Sequence, residues 1–282
     1  MTTVRRSGLN TLAAMDKIAF IGGGNMASAI IGGLLKSGLP AAAIRVVEPF
    51  KAQRERLHAE FGITALASAD DSLRRASLVV WAVKPQLFAA AAAPCAPHVG
   101  AALHLSVMAG IRSDAIARAA GSERVVRAMP NTPALIGQGI AGLYARPVVT
   151  AEERTQIEAV LAPTGQVMWV AQEADLDAVT ALSGSGPAYV FYFVEAMVQA
   201  AREMGLSEAQ GKQLALATFA GATALAAASD DPPELLRERV TSKGGTTHAA
   251  LMALEARGVK AAFIEALKAA QQRALELGDE FG

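Results

Sequence analysis

Between Lys17 and Val170 the chain alternates two hydrophobic rhythms. Short apolar, β-branched runs read as buried strands: "KIAFI", "IRVVE", "LVVWAV", "LHLSVM" and "RVVRAM", with "GIAGLYAR" and "QVMWV" as later strand candidates. Helical patterns lie between them. "ASAIIGGLLKSG" is stopped by Gly38, and the charged "KAQRERLHAEFG" ends at Gly62. Apolar strands alternating with helices predict a parallel sheet covered on both faces. After about Asp175 no strand pattern remains. "DLDAVTALSGSGPAYVFYFVEAMVQAAREMG" reads as helix, break and long helix ended by Gly205. Ser207 is placed to cap the next helix, and the prolines of "DDPPELLRERV" open another. The expected organisation is a doubly wound α/β domain over 15–174 and an all-helical domain over 175–282. Residues 1–14 are expected to be a disordered leader.

Composition narrows the class. Of 282 residues, 52% are apolar and 18% charged, enough for a sizeable core and too little charge for disorder. Lys+Arg and Asp+Glu balance at 26 each, so nothing points to nucleic acid or to a membrane surface. The best apolar stretch, "AYVFYFVEAMVQAA", is broken by Glu195 and reads as a buried helix rather than a span. Cys95, the single cysteine, excludes an internal disulfide and a cysteine-based zinc site. It reads as a small hydrophobe and fits a reducing cytosol. His58, His98, His104 and His248 lack metal-ligand spacing, and no metal is expected. His58 belongs on an exposed helix, His104 in the core or at an edge, and His248 at the surface or in packing. Gly184-Ser185-Gly186 lacks the spacing of a nucleophile elbow. Asp230-Asp231 and Glu152-Glu153 read as loop and helix-start acids. No catalytic acid or base stands out, which suits hydride transfer to an already activated electrophile.

"FIGGGNMASAIIGG" puts Gly22, Gly24 and Ala27 in dinucleotide-loop spacing, after a strand and at the start of a helix. Gly22 allows the tight turn, Gly24 lets backbone approach a pyrophosphate, and Ala27 lets helix pack on strand. Gly23, Asn25 and Met26 complete the loop, whose free N–H groups face the phosphates. The α/β half is therefore expected to be Rossmann-like. Glu48 ends the second strand, where a carboxylate would bond the ribose hydroxyls of NAD; Lys51 and Arg54 close behind would instead suit the 2′-phosphate of NADP. The choice stays open, with a slight lean to NAD from Glu48 alone. Ala82, Val83, Lys84 and Pro85 in "WAVKPQ", and Ala109 after the fourth strand run, are further candidate cofactor contacts at strand ends. "AMPNTPA" is another strand-end loop, with Asn131 and Thr132 offering an amide and a hydroxyl.

"RVTSKGGTTHAALMALE" places two glycines at the mouth of a helix, between Ser242-Lys243 and Thr246-Thr247. With the nucleotide loop, "VKPQ", "MPNTPA", "LSGSGPAY" and "VTSKGGTTHAAL" in this order, the chain resembles pyrroline-5-carboxylate reductase from about Met15 to its end. The last two motifs are specific to that family. The resemblance implies NAD(P)H-dependent reduction of 1-pyrroline-5-carboxylate to L-proline, the final step of proline biosynthesis. It also implies a cytoplasmic enzyme and a homodimer built by the helical domain, which can assemble further into a decamer. In that family the loop matching Ser242, Gly244, Gly245 and Thr246 holds the substrate carboxylate. Thr247 matches the residue whose hydroxyl lies near the ring nitrogen, and is assigned the catalytic position. Asn131, Asp230 and Glu173 are carried over as substrate-proximal residues. Two departures stand out: Lys243 replaces a proline of many relatives, and Ala69 replaces an asparagine that can touch the adenosine.

Two rivals are set against this reading. A hydroxyacid dehydrogenase of the same plan would need an acid/base lysine in the helical domain, and the neighbours of Lys212 resemble no such site. A nucleotide-sensing protein without turnover would bind NAD(P)H and leave it unoxidised when the imine is supplied.

Overall fold

The computed structural model describes residues 17–281; the leader expected over 1–14 lies outside the described residues. The chain divides into two compact units. The first runs through Ser185 and takes in the chain from Ala270 onward; the second is Gly186–Ala269.

The first unit is built on a seven-stranded sheet of β1 (Ile18–Ile21), β2 (Ile44–Val47), β3 (Leu78–Trp81), β4 (Leu103–Ser106), β5 (Val125–Met129), β6 (Gly139–Ala145) and β7 (Gly165–Trp169). Their spatial order is β2-β1-β3-β4-β5-β6-β7. Side chains alternate between two buried clusters. Ile18 and Phe20 point to one, with Ile30, Ile31 and Leu34 of α1 (Asn25–Lys36). Ala19 and Ile21 point to the other, with Phe88, Cys95 and Val99 of α3 (Phe88–Val99). The helices α2 (Lys51–Phe61), α4 (Ser113–Ala120) and α5 (Ala151–Leu161) complete the layers. Both faces are thus covered, as the continuous apolar strands require. One pairing departs from the expected parallel sheet: β5 and β6 run antiparallel. The loop between Met129 and Gly139 is too short for a parallel crossover, which needs a dozen or more residues. The chain order reverses between β1 and β3, and this switch point opens toward the strands' carboxyl ends.

The first unit extends past the expected boundary at residue 174. α6 (Asp175–Val179) buries Leu176, and Val179 fills the space over Gly142, where an added Cβ would lie 2.7 Å from it. A single π turn, Thr180–Gly184, follows and carries the "LSGSG" motif. A Cβ at Gly184 would lie 2.5 Å from the Met129 methyl carbon, so this turn packs directly on the end of β5. The sheet therefore keeps a segment that its helical pattern alone would hand to the second half.

The second unit holds α7 (Gly186–Glu203), α8 (Glu208–Ala227), α9 (Pro233–Arg239), α10 (Thr246–Ala256) and most of α11 (Val259–Phe281). Ser207 caps α8 in a reciprocal capping box with Gln210. Gly211 lets α8 approach α7 closely, since a Cβ there would be 2.7 Å from that of Ala201. Tyr189 and Phe193 of α7 pack edge-on against Phe263, while Phe191 and Tyr192 are exposed. No helix among the described residues is long and apolar enough to cross a membrane.

Candidate active site

The nucleotide loop leaves β1 at the switch point. Gly22 has φ +96°, and a Cβ there would lie 2.6 Å from the Ala82 carbonyl oxygen and 2.9 Å from Val83. Only glycine fits, because the conformation is left-handed and the "AVKP" segment lies against it. Its N–H donates to the Val47 carbonyl at 2.9 Å. Gly24 behaves oppositely: a Cβ there meets nothing within 4 Å, and the residue is exposed. It is the N-cap of α1, which has no side-chain cap and no acid in its first turn. Asn25 is exposed, Met26 half-buried and Ala27 buried under the helix. An open, uncapped helix end carries partial positive charge and free N–H groups. These residues fit the diphosphate of a dinucleotide.

Glu48 differs from its expected free, ribose-facing carboxylate. It is 6% exposed, and its two oxygens accept the N–H groups of Gly23 and Phe50, each at 2.9 Å. Gln53 donates to the Gly23 carbonyl, so the loop is held from both sides. Arg54 Nη1 donates to the Glu48 and Pro49 carbonyls at 2.9 and 2.7 Å. Sequence reasoning misses these backbone clamps, because side-chain direction after a strand end is not written in the strand pattern. Ala82, Val83 and Pro85 are half-buried beside the loop, Lys84 is exposed, and Ala109 is half-buried beyond β4.

Asn131 stands at the N-cap position of the turn after β5 without capping it through its side chain, and is 9% exposed. Its side-chain oxygen accepts the Ile140 N–H at 3.0 Å, which leaves its amide group as the donor for a ligand. Glu173 is engaged inside the first unit. It accepts the Ser113 N–H and hydroxyl, both at 2.6 Å, and pairs with Arg127 Nη1 at 2.8 Å. Burial alone would raise its pKa; the Ser113 bonds and the Arg127 charge outweigh this and hold it below the ordinary glutamate value. The carboxylate thus ties β5, which feeds the Asn131 turn, to the start of α4 and to the segment before α6. Arg127 is the available signal: a charged residue inside an otherwise apolar strand, 5% exposed, needs a buried partner.

In the second unit, Gly244 has φ +74° and Gly245 is the N-cap of α10. No side chain caps this helix, although Ser242, Thr246 and Thr247 surround its mouth. Gly245 N–H donates to the Ser242 carbonyl at 3.0 Å and closes the turn. Ser242, Gly244 and Thr246 are exposed, and Gly245 and Thr247 are half-buried, so the turn reaches the surface. The first-turn N–H groups therefore point out of a turn stripped of side chains, an arrangement suited to a small anion. Asp231 pairs with Arg239 of α9, beside Asp230. Lys243 is exposed. No group of three or more metal-ligating side chains occurs among the described residues.

A family model described as pyrroline-5-carboxylate reductase dimerisation matches residues 173–277, and one described as NADP oxidoreductase, coenzyme F420-dependent, matches 17–110. Pyrroline-5-carboxylate reductase of Pseudomonas aeruginosa is 44% identical over 268 residues, 94% of this chain and 98% of its own. The chain belongs to the pyrroline-5-carboxylate reductase family. The Escherichia coli reductase is 37% identical over 265 residues, with 93% and 98% of the two chains covered. Among solved structures, a pyrroline-5-carboxylate reductase from Coxiella burnetii superposes with a TM-score of 0.86 at 34% identity, covering 93% of this chain and 98% of its own. The Plasmodium falciparum pyrroline carboxylate reductase, with NADP bound, gives 0.83 at 28% identity and covers 94% and 100%. The chain is accordingly an oxidoreductase of this family, with a Rossmann-like half and a helical dimerisation half.

Proposed function

We propose that this chain reduces 1-pyrroline-5-carboxylate to L-proline with NADPH or NADH, the last step of proline biosynthesis. The observation that carries this reading is the uncapped mouth of α10, cleared by Gly244 and Gly245 in a member of this reductase family. The substrate is a small ring bearing a carboxylate and a C=N bond. Its carboxylate fits the first-turn N–H groups of α10, with Ser242 and Thr246 as hydroxyl donors at the rim. Each charge-assisted bond there contributes about 1.5–3 kcal/mol net. Thr247, next along the helix, is placed to direct its hydroxyl at the ring nitrogen and keep the imine protonated. Protonation makes C5 electrophilic, so hydride arrival at C5 gives the secondary amine of proline with no further proton step. When bound, the reduced nicotinamide supplies that hydride.

The residues of the chain act by positioning. Gly24, Asn25, Met26 and Ala27 offer their N–H groups to the diphosphate on a turn shaped by Gly22 and Gly23, with Ala82, Val83, Lys84, Pro85 and Ala109 along the strand ends. Asn131 in the first unit and Asp230 in the second are further candidate substrate residues. Glu173 supports the Asn131 turn through Arg127. The helical unit makes a homodimer, which its exposed Phe191 and Tyr192 support, and dimers assemble further into a decamer. Cytoplasmic residence fits a reductant-dependent enzyme whose one cysteine, Cys95, is a buried free thiol. The test is dinucleotide oxidation with the imine against a panel of 2-hydroxyacids run in reverse. Turnover on the imine alone supports the reading; turnover on a hydroxyacid alone overturns it.

A further inference from the structure

We propose that Arg112 is a positioning residue: it clips the carboxyl end of α11 onto the loop that follows β4, and so fixes the cofactor side of the site. This rests on the dinucleotide reading of the first unit given above. The loop runs from Val107 to Arg112 and leaves the carboxyl end of β4, beside β3. It carries Ala109, a candidate cofactor contact that is half-buried. The sheet ties down its start: the Val107 N–H donates to the Trp81 carbonyl at 3.0 Å, and the Met108 N–H to the Ser106 hydroxyl at 3.2 Å.

The end of α11 covers the rest. Gly110 has φ +75°, and a Cβ there would lie 3.2 Å from the Leu277 carbonyl oxygen. Gly278 is buried, and a Cβ there would lie 2.5 Å from Arg112 Nη2 and 2.7 Å from its Nε and Cζ. The guanidinium therefore lies against bare helix backbone. Glycine inside a helix weakens it relative to alanine, so Gly278 has a packing reason. Phe281 packs against the cluster that holds Met108 and Ile111. The guanidinium is also held by charge: Nη1 donates to Asp177 Oδ2 at 3.2 Å, and Nη2 faces Asp279 Oδ1 at 4.0 Å. Asp177 is 7% exposed, and breaking its pair would leave a buried charge uncompensated. Asp177 stands before the chain leaves the first unit after Ser185, and Asp279 stands after its return at Ala270. One side chain thus joins the outgoing and the returning segments to the loop after β4.

Gly278→Ala tests this in the full-length protein, because it pushes the guanidinium away while making the helix itself more favourable. The variant is expected to keep the wild-type Tm and to raise the Kd for NADP+, measured by calorimetry, about tenfold, the loss of one good hydrogen bond to the dinucleotide. KM for the imine is expected to stay unchanged. Arg112→Gln is expected to weaken NADP+ similarly, and the double variant to bind no more weakly than the poorer single one, since both changes break the same contact. Arg112→Lys keeps a charge beside Asp177, is expected to weaken NADP+ in the same direction, and keeps the test open if Arg112→Gln fails to fold. A Gly278→Ala protein that binds NADP+ like the wild type overturns the proposal, as does a double variant whose loss is the sum of the single losses, or an equal rise in the KM for the imine. Failure of the wild-type protein to bind NADP+ overturns it together with the dinucleotide reading; failure of imine turnover alone leaves the affinity result standing.

Discussion

The hydroxyl oxygen of Ser242 occupies the space into which a side chain on Gly245 would grow: a Cβ there would come within 2.5 Å of it. The two glycines are thus needed for different reasons. Gly244 takes a left-handed φ of +74° with open space around it, while Gly245 makes room for Ser242. Gly245→Ala forces Ser242 and the mouth of α10 apart. Its KM for the imine is expected to rise roughly tenfold or more, the loss of one charge-assisted bond. Cofactor affinity, measured by calorimetry, is expected to stay unchanged. Equal loss of both would place this turn outside the substrate site.

Thr247→Ala removes the hydroxyl assigned to the ring nitrogen. A fall in kcat of about 10–100-fold is expected, the loss of one hydrogen bond to the charged iminium at about 1.5–3 kcal/mol, with NADP+ affinity retained. Thr247→Ser restores the hydroxyl and is expected to recover most of the rate. A serine variant as slow as the alanine variant would assign Thr247 to packing.

Gly22 and Gly24 separate folding from binding within one motif. At Gly24 the protein leaves open space, so Gly24→Val is expected to keep the wild-type Tm and lose NADP+ binding. At Gly22 a Cβ meets the Ala82 carbonyl and the backbone is left-handed, so Gly22→Ala is expected to lower Tm by several degrees. Thermal denaturation and calorimetry on both variants check this. A destabilised Gly24→Val protein would contradict the open site.

His104 makes the first unit sensitive to acid. It is fully buried, and the Trp81 indole N–H donates to its Nδ1 at 3.1 Å, which requires the neutral ring. Burial, with help from the Arg124 charge, pushes its pKa down from 6.5 to about 4. A depressed folded-state pKa gives stability that is fully present above pH 6.5 and lost as pH falls toward about 4. The loss is on the order of 3 kcal/mol from this group. Urea denaturation across that window is expected to show the decline, and His104→Gln to flatten it. An unchanged slope in the variant would assign the acid sensitivity to other groups.

Much of this fold is legible in the amino-acid sequence alone. The strand runs coincide with β1 to β7, and Gly38, Gly62 and Gly205 mark helix ends with positive φ, because local apolar rhythm and glycine stops act within a few residues. What the pattern does not show depends on partners far along the chain. The antiparallel turn of β6 follows from loop length, and the π turn stays with the sheet because Val179 and Met129 meet Gly142 and Gly184. Glu48 shows the same limit at the site: its position is readable, but its two bonds to the loop are not. The glycine turn at the mouth of α10 is readable in the sequence, but its reading as an anion site comes from the companion motifs rather than from the turn alone.

The most direct measurement is a crystal structure of the protein with L-proline and NADP+. The proline carboxylate is expected on the first-turn N–H groups of α10, at Gly245–Thr247, with the Thr247 hydroxyl within hydrogen-bond reach of the ring nitrogen. A carboxylate bound elsewhere, with that turn holding nothing, would contradict the account.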